Sequence, residues 1–208
     1  MKIAFNNQKL ITVWKSLRPW VIAVAVVVIL RYTGILAGIS HMTGSLLHKT
    51  GTMNADTEQP IVIKSFNYNF KIKDLNGKVI NFKDFKGKTI FLNVWATWCG
   101  PCRIEMPSIQ KLYDKVDKEK IVFIMLAVDE RNHFEKVVNF VKEQDYSFPV
   151  YVPHEYLPEQ LMVRTIPTTF VINSDGKIAT QETGAANYDT EEFKTFLEGL
   201  TAETKQNE

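Results

Sequence analysis

The chain has 208 residues, of which 45% are hydrophobic and 23% are charged, the composition of a protein that folds around an apolar core. Its formal net charge of +2 is too small to indicate binding to nucleic acid. Two cysteines are too few for a scaffold held by disulfides or for a zinc site built from thiolates.

The N-terminal part of the chain is first basic and then apolar. Residues 1–18 carry lysine and arginine but no acidic side chain, and residues 19–40 are mostly apolar with one interior arginine. Because a membrane span needs about 20 apolar residues, we predict a basic cytoplasmic N-terminus at 1–18 and a transmembrane anchor at 19–40. The alternatives for 19–40 are a signal peptide and a buried helix of a cytosolic protein. An anchor or a signal peptide would export the rest of the chain.

The remainder of the chain is predicted to be a linker at 41–60, one folded domain at 61–200 and a flexible polar tail at 201–208. The predicted elements of the domain are a strand at 66–72, a hairpin over 74–82, a buried strand at 89–96, a helix at 100–117, a buried strand at 121–128, a helix at 133–144, a strand at 148–152, a short helix at 156–164, a hairpin over 168–183 and a helix at 190–200. Helices that connect buried strands require those strands to be parallel, so we predict an α/β fold with a mixed central sheet flanked by helices.

The two cysteines, Cys99 and Cys102, lie where a predicted buried strand ends and a helix begins. Residues three apart in the first helical turn lie on one side, about 5–6 Å apart at Cα, which is a separation that a disulfide accepts. The start of a helix favours negative charge and lowers the pKa of a thiol there from about 8.5. We therefore predict that Cys99 is the exposed nucleophile and that Cys102 is shielded and resolves the mixed disulfide. Pro101 stiffens the turn.

Three segments carry a family resemblance. "WATWCGPCRIEMP" resembles the active-site segment of thioredoxins, and together with "FKGKTIFLNVWATWCGPC" and "TIPTTFVINSDGKI" it is similar to the membrane-anchored TlpA/ResA-type thiol–disulfide oxidoreductases of bacteria. The resemblance covers roughly residues 61–200. It implies a thioredoxin-like fold and assigns the nucleophilic and resolving roles to Cys99 and Cys102.

The same resemblance assigns roles to residues around the dithiol. It implies that Trp95 and Trp98 lie beside the two sulfurs and that Pro107 kinks the active-site helix. It further implies that Pro167 is a cis-proline facing the dithiol and that the Ile166 backbone pairs with a substrate chain. The predicted substrate-binding residues are Trp98, Pro101, Ile166 and Pro167.

Glu105 matches a helix glutamate that this branch of the family places near the dithiol. A partly buried carboxylate there would exchange a proton with Cys102 and raise the pKa of the thiols. The alternative is an ordinary solvated glutamate. Cytosolic thioredoxins carry a buried aspartate on the preceding strand, where this chain has Asn93. Since residue 93 cannot transfer a proton as an acid, Glu105 becomes the better candidate.

The resemblance implies a function outside the cytoplasm. The uncharged pair Gly100–Pro101 between the cysteines favours a reductant over a strong oxidant. We expect a single-pass protein of the bacterial inner membrane whose catalytic domain faces the periplasm and reduces disulfides of exported proteins, apocytochrome c among them. A membrane electron donor would then reduce it again.

No cofactor besides the Cys99–Cys102 disulfide and no metal is expected, because His133 and His154, the only histidines of the domain, belong to no motif with metal-ligand spacing. The alternative functions are a disulfide oxidant and an anchored module that binds a metal or a partner, as copper chaperones on this fold do.

Overall fold

The computed structural model of the protein describes Arg18, Ile22, Ala55 and residues 65–202. The chain divides into two units, Met1–Leu46 and Leu47–Glu208. The predicted anchor at 19–40 lies outside the described residues apart from Ile22, which is helical like Arg18. In the part of the chain that is described, no helix has the length and apolar character needed to cross a membrane.

The second unit contains a seven-stranded sheet and three helices among its described residues. In chain order these are β1 (Lys71–Asp74), β2 (Val79–Asn81), β3 (Thr89–Trp95), α1 (Gly100–Lys115), β4 (Ile121–Ala127), α2 (Phe134–Glu143), β5 (Val150–Pro153), β6 (Thr168–Ile172), β7 (Ile178–Thr183) and α3 (Glu191–Ala202). The strand order is β2-β1-β5-β4-β3-β6-β7. Strands β3, β4 and β5 are parallel neighbours, whereas the other pairs are antiparallel. The predicted mixed α/β fold is thus confirmed.

Strand β3 is the centre of the sheet, and all seven of its residues are buried. Because side chains alternate along a strand, β3 contributes to two apolar clusters on opposite faces. Leu92 packs in one cluster, whereas Phe91 and Trp95 pack in the other, together with the apolar side chains of α1. Asn93 shares the face of Phe91 and Trp95, so its amide points toward α1, the helix that carries Glu105.

Three local features fix parts of this fold. Gly77 adopts a positive φ of 87° in the hairpin turn between β1 and β2, where a side chain would be strained. At the start of α3, the Thr190 hydroxyl accepts a hydrogen bond from the Phe193 N–H at 3.1 Å. Within the predicted linker, Ala55 is buried and its N–H donates to the Asn187 carbonyl at 3.1 Å.

Several predicted boundaries differ from the structure. Strand β1 begins at Lys71 rather than at 66, although Phe66, Tyr68 and Phe70 are buried in an aromatic cluster with Phe82. The helix predicted at 156–164 is only a 3₁₀ turn at Glu159–Leu161. Pro158, inside the predicted helix, has an extended backbone (φ −63°, ψ 152°) and disfavours helical geometry at Leu157, so no helix forms before Glu159. Helix α3 extends to Ala202, two residues into the predicted tail.

Candidate active site

The two cysteines lie at the junction of β3 and α1, as predicted, and they form a disulfide with a Cα–Cα distance of 5.3 Å. Cys99 is the N-cap residue of α1, and Gly100 and Pro101 form the first helical positions. The Cys102 N–H donates to Cys99 Sγ at 3.2 Å. An N–H group at the start of a helix therefore points at the sulfur of Cys99, an arrangement that stabilises a thiolate at that position.

Cys99 is less exposed than predicted, although Cys102 is the more buried of the two cysteines. Cys102 is fully buried and Cys99 is 4% exposed, so the order is as expected, but Cys99 is not the exposed residue that we predicted for this position. The loop before β6 covers it: the Ile166 carbonyl oxygen lies 3.7 Å from Cys99 Sγ. The adjacent Trp98 is 65% exposed and presents an indole to solvent beside the disulfide.

The loop facing the disulfide contains the expected cis peptide bond, between Ile166 and Pro167. Pro167 is buried and Ile166 is half-buried. Strand β6 starts directly after this proline and pairs antiparallel with β3, with Thr169 opposite Asn93. The sheet register thus brings the loop to the end of β3 where the cysteines lie. Whether a substrate chain pairs with Ile166 stays a prediction.

Trp95 and Pro107 lie on either side of the dithiol along the chain. Trp95 is fully buried at the end of β3 and packs against Phe140 of α2, with ring centroids 5.5 Å apart. Pro107 lies inside α1, which continues from Gly100 to Lys115. Because proline has no N–H, it removes one hydrogen bond from the helix one turn after Cys102. A kink at Pro107 stays a prediction.

Glu105 is completely buried, so the alternative of a solvated glutamate is wrong. Asn93 Nδ2 donates to Glu105 Oε1 at 2.8 Å, and the Ala186 N–H donates to Oε2 at 3.2 Å. Burial raises the pKa of Glu105 to about 8, with a further small increase from the charge of Glu182, although the two hydrogen bonds favour the ionised form. A carboxyl group with a pKa near neutrality thus lies one helical turn after Cys102.

A polar network extends from Glu105 through residues that the sequence analysis missed. Asn93 Nδ2 also donates to Thr169 Oγ1 at 2.9 Å, and the Tyr188 hydroxyl donates to the same oxygen at 2.7 Å. Burial, and then the charge of Glu105, raise the pKa of Tyr188 well above its ordinary value. Thr169 could have been found by assuming β3–β6 pairing after the proline, but no sequence pattern indicated Tyr188.

Asp129 is a second missed residue. The Thr97 N–H and hydroxyl donate to its two carboxylate oxygens at 2.9 and 2.5 Å. These bonds hold the loop between β3 and α1 two residues before Cys99. Asp129 follows β4, a parallel neighbour of β3, so the carboxyl ends of adjacent strands place both groups at one edge of the sheet. Because the carboxyl ends of adjacent parallel strands meet, the sequence could have predicted that Asp129 lies near the cysteines.

The residues that the structure describes contain no group of three or more His, Cys, Asp or Glu side chains arranged to hold a metal ion. His133 lies 4.0 Å from Glu130 through Nδ1, on the surface before α2. It has no part in the geometry around the disulfide.

Comparison with known proteins decides the family. The Redoxin family profile matches residues 63–197. The chain belongs to the Redoxin family. Thiol-disulfide oxidoreductase ResA of Bacillus thuringiensis subsp. konkukian is 40% identical over 134 residues, which cover 64% of this chain and 75% of that protein. ResA of Bacillus subtilis (strain 168) is 37% identical over 117 residues, 56% of this chain and 64% of that protein.

Two solved structures share the fold. StoA from Bacillus subtilis has a TM-score of 0.52 and 27% identity, covering 66% of this chain and 98% of its own. A thiol:disulfide interchange protein of Chlorobium tepidum has a TM-score of 0.53 and covers 67% of this chain; at 24% identity it supports the fold alone. This redoxin is therefore a thiol–disulfide oxidoreductase of thioredoxin-like fold, with Cys99 and Cys102 as its cysteine pair.

Proposed function

We propose that the protein reduces disulfides of exported proteins, with Cys99 as the attacking and Cys102 as the resolving cysteine. The observation that carries the two cysteine roles is the N-cap position of Cys99, where the Cys102 N–H points at its sulfur while Cys102 itself is fully buried. The uncharged Gly100–Pro101 pair supports the direction, toward reduction of the client. Of the two cysteines only Cys99 keeps any exposure, 4%, so it is the one that a client disulfide would meet first.

The reaction is two successive exchanges that start from the dithiol. The Cys99 thiolate attacks one sulfur of the client disulfide, whose S–S bond breaks, and the released client thiolate takes up a proton. Cys102 then loses its proton and attacks Cys99 Sγ, so the mixed disulfide breaks and the second client thiolate leaves and is protonated. Two electrons pass to the client, and the protein is left with the Cys99–Cys102 disulfide seen in the structure.

Glu105 is proposed as the acceptor of the Cys102 proton. Cys102 must ionise inside the protein, and Glu105 is a buried carboxyl group one turn further along α1 with a pKa of about 8. Groups whose pKa lies near the working pH exchange protons most effectively. Glu105→Gln should therefore flatten the dependence of Cys102 reactivity on pH, measured by alkylation of the Cys99→Ser variant. An unchanged profile would remove Glu105 from the mechanism.

We also propose that residues 19–40 anchor the protein in the bacterial inner membrane, with the catalytic domain in the periplasm or its extracytoplasmic equivalent. The basic segment 1–18 followed by an apolar segment supports this topology, as does the resemblance to anchored relatives. A membrane electron donor would return the disulfide to the dithiol, and apocytochrome c is one candidate client. Protease added to intact spheroplasts should cleave the catalytic domain; full protection of the domain would contradict the topology.

Reduction of insulin by the full-length protein, with dithiothreitol as the source of electrons, tests the activity. We expect turnover that is lost in Cys99→Ser, together with a reduction potential well below about −120 mV, the value of a strong oxidant. A potential close to −120 mV would reverse the proposed direction of electron flow. Bound copper at one ion per chain without turnover would instead favour the metal-binding alternative. We propose no cofactor beyond the two sulfurs.

A further inference from the structure

The orientation of the Asn93 amide is set by partners on its nitrogen side. Its Nδ2 group has two hydrogens, and both are donated, one to Glu105 Oε1 and one to Thr169 Oγ1. Its Oδ1 atom is buried and has no hydrogen-bond partner among the described residues. Nothing on the oxygen side therefore holds the amide in place.

This orientation matters because the two ends of an amide act differently on a carboxyl group. With nitrogen toward Glu105, Asn93 donates a hydrogen bond that favours the carboxylate. With oxygen toward Glu105, it could only accept a bond from the protonated acid. Thr169 supports the first orientation, since its oxygen accepts the second amide hydrogen at 2.9 Å.

Thr169 is itself held by Tyr188. The Tyr188 hydroxyl donates to Thr169 Oγ1 at 2.7 Å, and the Tyr188 N–H donates to Ser108 Oγ at 3.2 Å. Ser108 in turn donates to the carbonyl oxygen of Glu105 at 2.7 Å, so the hydrogen bonds lead back to Glu105 within α1. The Tyr188 ring is fully buried and packs edge-on against Phe91, with centroids 5.1 Å apart. The tyrosine thus has little freedom to move away from Thr169.

We propose that Thr169, held by Tyr188, is a positioning residue that keeps the Asn93 amide nitrogen on Glu105 and so favours the ionised carboxylate. The proposal deepens the proposed function, because it rests on proton exchange at Glu105. Thr169 lies two residues after the cis-proline, so the strand that leads from the client-facing loop also controls the proton acceptor. The other titratable groups acting on Glu105 are Glu182 on β7 and Tyr188, with Cys102 one turn earlier on α1.

The test replaces the Thr169 hydroxyl with a methyl group and measures the ionisation of Glu105 directly. Thr169→Val has a matched control in Thr89→Val: both threonines are 1% exposed, and the Thr89 hydroxyl has no hydrogen-bond partner among the described residues. The side-chain carboxyl ¹³C resonance of Glu105, identified by its loss in Glu105→Gln, is followed with pH in the oxidised full-length protein. In this form the cysteines cannot titrate.

The expected result is a higher titration midpoint for Thr169→Val, by about one pH unit or a tenfold gain in proton affinity. Thr89→Val should titrate like the unaltered protein, and Thr169→Ser should restore the original midpoint. The proposal is overturned if Thr169→Val and Thr89→Val titrate alike, or if Thr169→Ser fails to restore the midpoint.

A second pair of variants serves if Thr169→Val does not fold. Tyr188→Phe should raise the midpoint in the same direction by a smaller amount, whereas Tyr68→Phe removes a buried hydroxyl without a partner among the described residues and should not. Equal midpoints for these two variants would overturn the role of Tyr188. Because the readout is the ionisation of Glu105, it stays valid even if the alkylation experiment with Glu105→Gln shows that Glu105 has no catalytic role.

Discussion

Replacing Glu105 with glutamine should change how the free energy of unfolding depends on pH. Glu105 is fully buried in the folded protein, where its pKa is raised from 4.5 to about 8, whereas in the unfolded chain it is exposed to water. Between these two values the folded state binds one more proton than the unfolded state. Stability from the buried neutral acid is therefore present below pH 4.5 and is lost as the pH rises toward 8.

The size of this loss in the free energy of unfolding follows from the shift in the pKa of Glu105. The interval from 4.5 to about 8, at about 1.36 kcal/mol per pH unit, corresponds to about 5 kcal/mol. Glutamine does not titrate, so the variant lacks this contribution. At acid pH the variant should be less stable by about 1–3 kcal/mol, since its single oxygen cannot accept hydrogen bonds from both Asn93 and Ala186. As the pH rises, its stability relative to the unaltered protein should increase.

Urea denaturation of the oxidised proteins at pH 5, 6, 7 and 8, followed by circular dichroism, measures this difference. Comparing the two proteins cancels the contributions of all other titrating groups. Glu143→Gln, which alters an exposed glutamate of α2, is the control and should run parallel to the unaltered protein. Parallel curves for Glu105→Gln as well would refute the reasoning, because they would mean that Glu105 has the same pKa in the folded and unfolded states.

Three further substitutions test separate parts of the account. Asp129→Ala removes the acceptor of both Thr97 hydrogen bonds and should lower the free energy of unfolding by about 1–3 kcal/mol in urea denaturation; no loss would mean that these bonds do not hold the loop before Cys99. Trp98→Ala alters a side chain that is 65% exposed, so it should leave the melting temperature nearly unchanged and raise the KM for a protein disulfide; an unchanged KM would exclude Trp98 from client binding. Thr190→Ala removes the N-cap of α3 and should cost about 1 kcal/mol in urea denaturation, most of which Thr190→Ser should recover.

Much of the fold could be predicted because its determinants are local in sequence. Strand β3 is, after its first residue, an apolar run interrupted only by Asn93, the β1–β2 turn contains an Asn-Gly pair, and the cysteines lie where an apolar run gives way to helical spacing. Each pattern follows from the two periodicities of the backbone. The helix predicted at 156–164 failed because its apolar spacing resembled a helix while Pro158, within it, has an extended backbone.

The missed parts of the site depend on contacts between distant residues. Thr169 reaches Asn93 across 76 residues of sequence, and the Ala186 N–H reaches Glu105 across 81. These contacts exist only because β6 pairs with β3 in one register and because the segment before α3 packs against α1. A glutamate on a helix is ordinarily exposed, so the spacing of residues in α1 alone could not show that Glu105 is buried.

The most direct test of the assigned cysteine roles is to trap the reaction half-way with a protein disulfide and to weigh the product. Cys102→Ser retains the attacking sulfur but cannot resolve the intermediate, so mass spectrometry should find one client chain joined to Cys99. Cys99→Ser leaves only the buried sulfur of Cys102 and should give little or no adduct. Equal trapping by both variants, or trapping by Cys99→Ser alone, would contradict the assignment of Cys99 as the nucleophile.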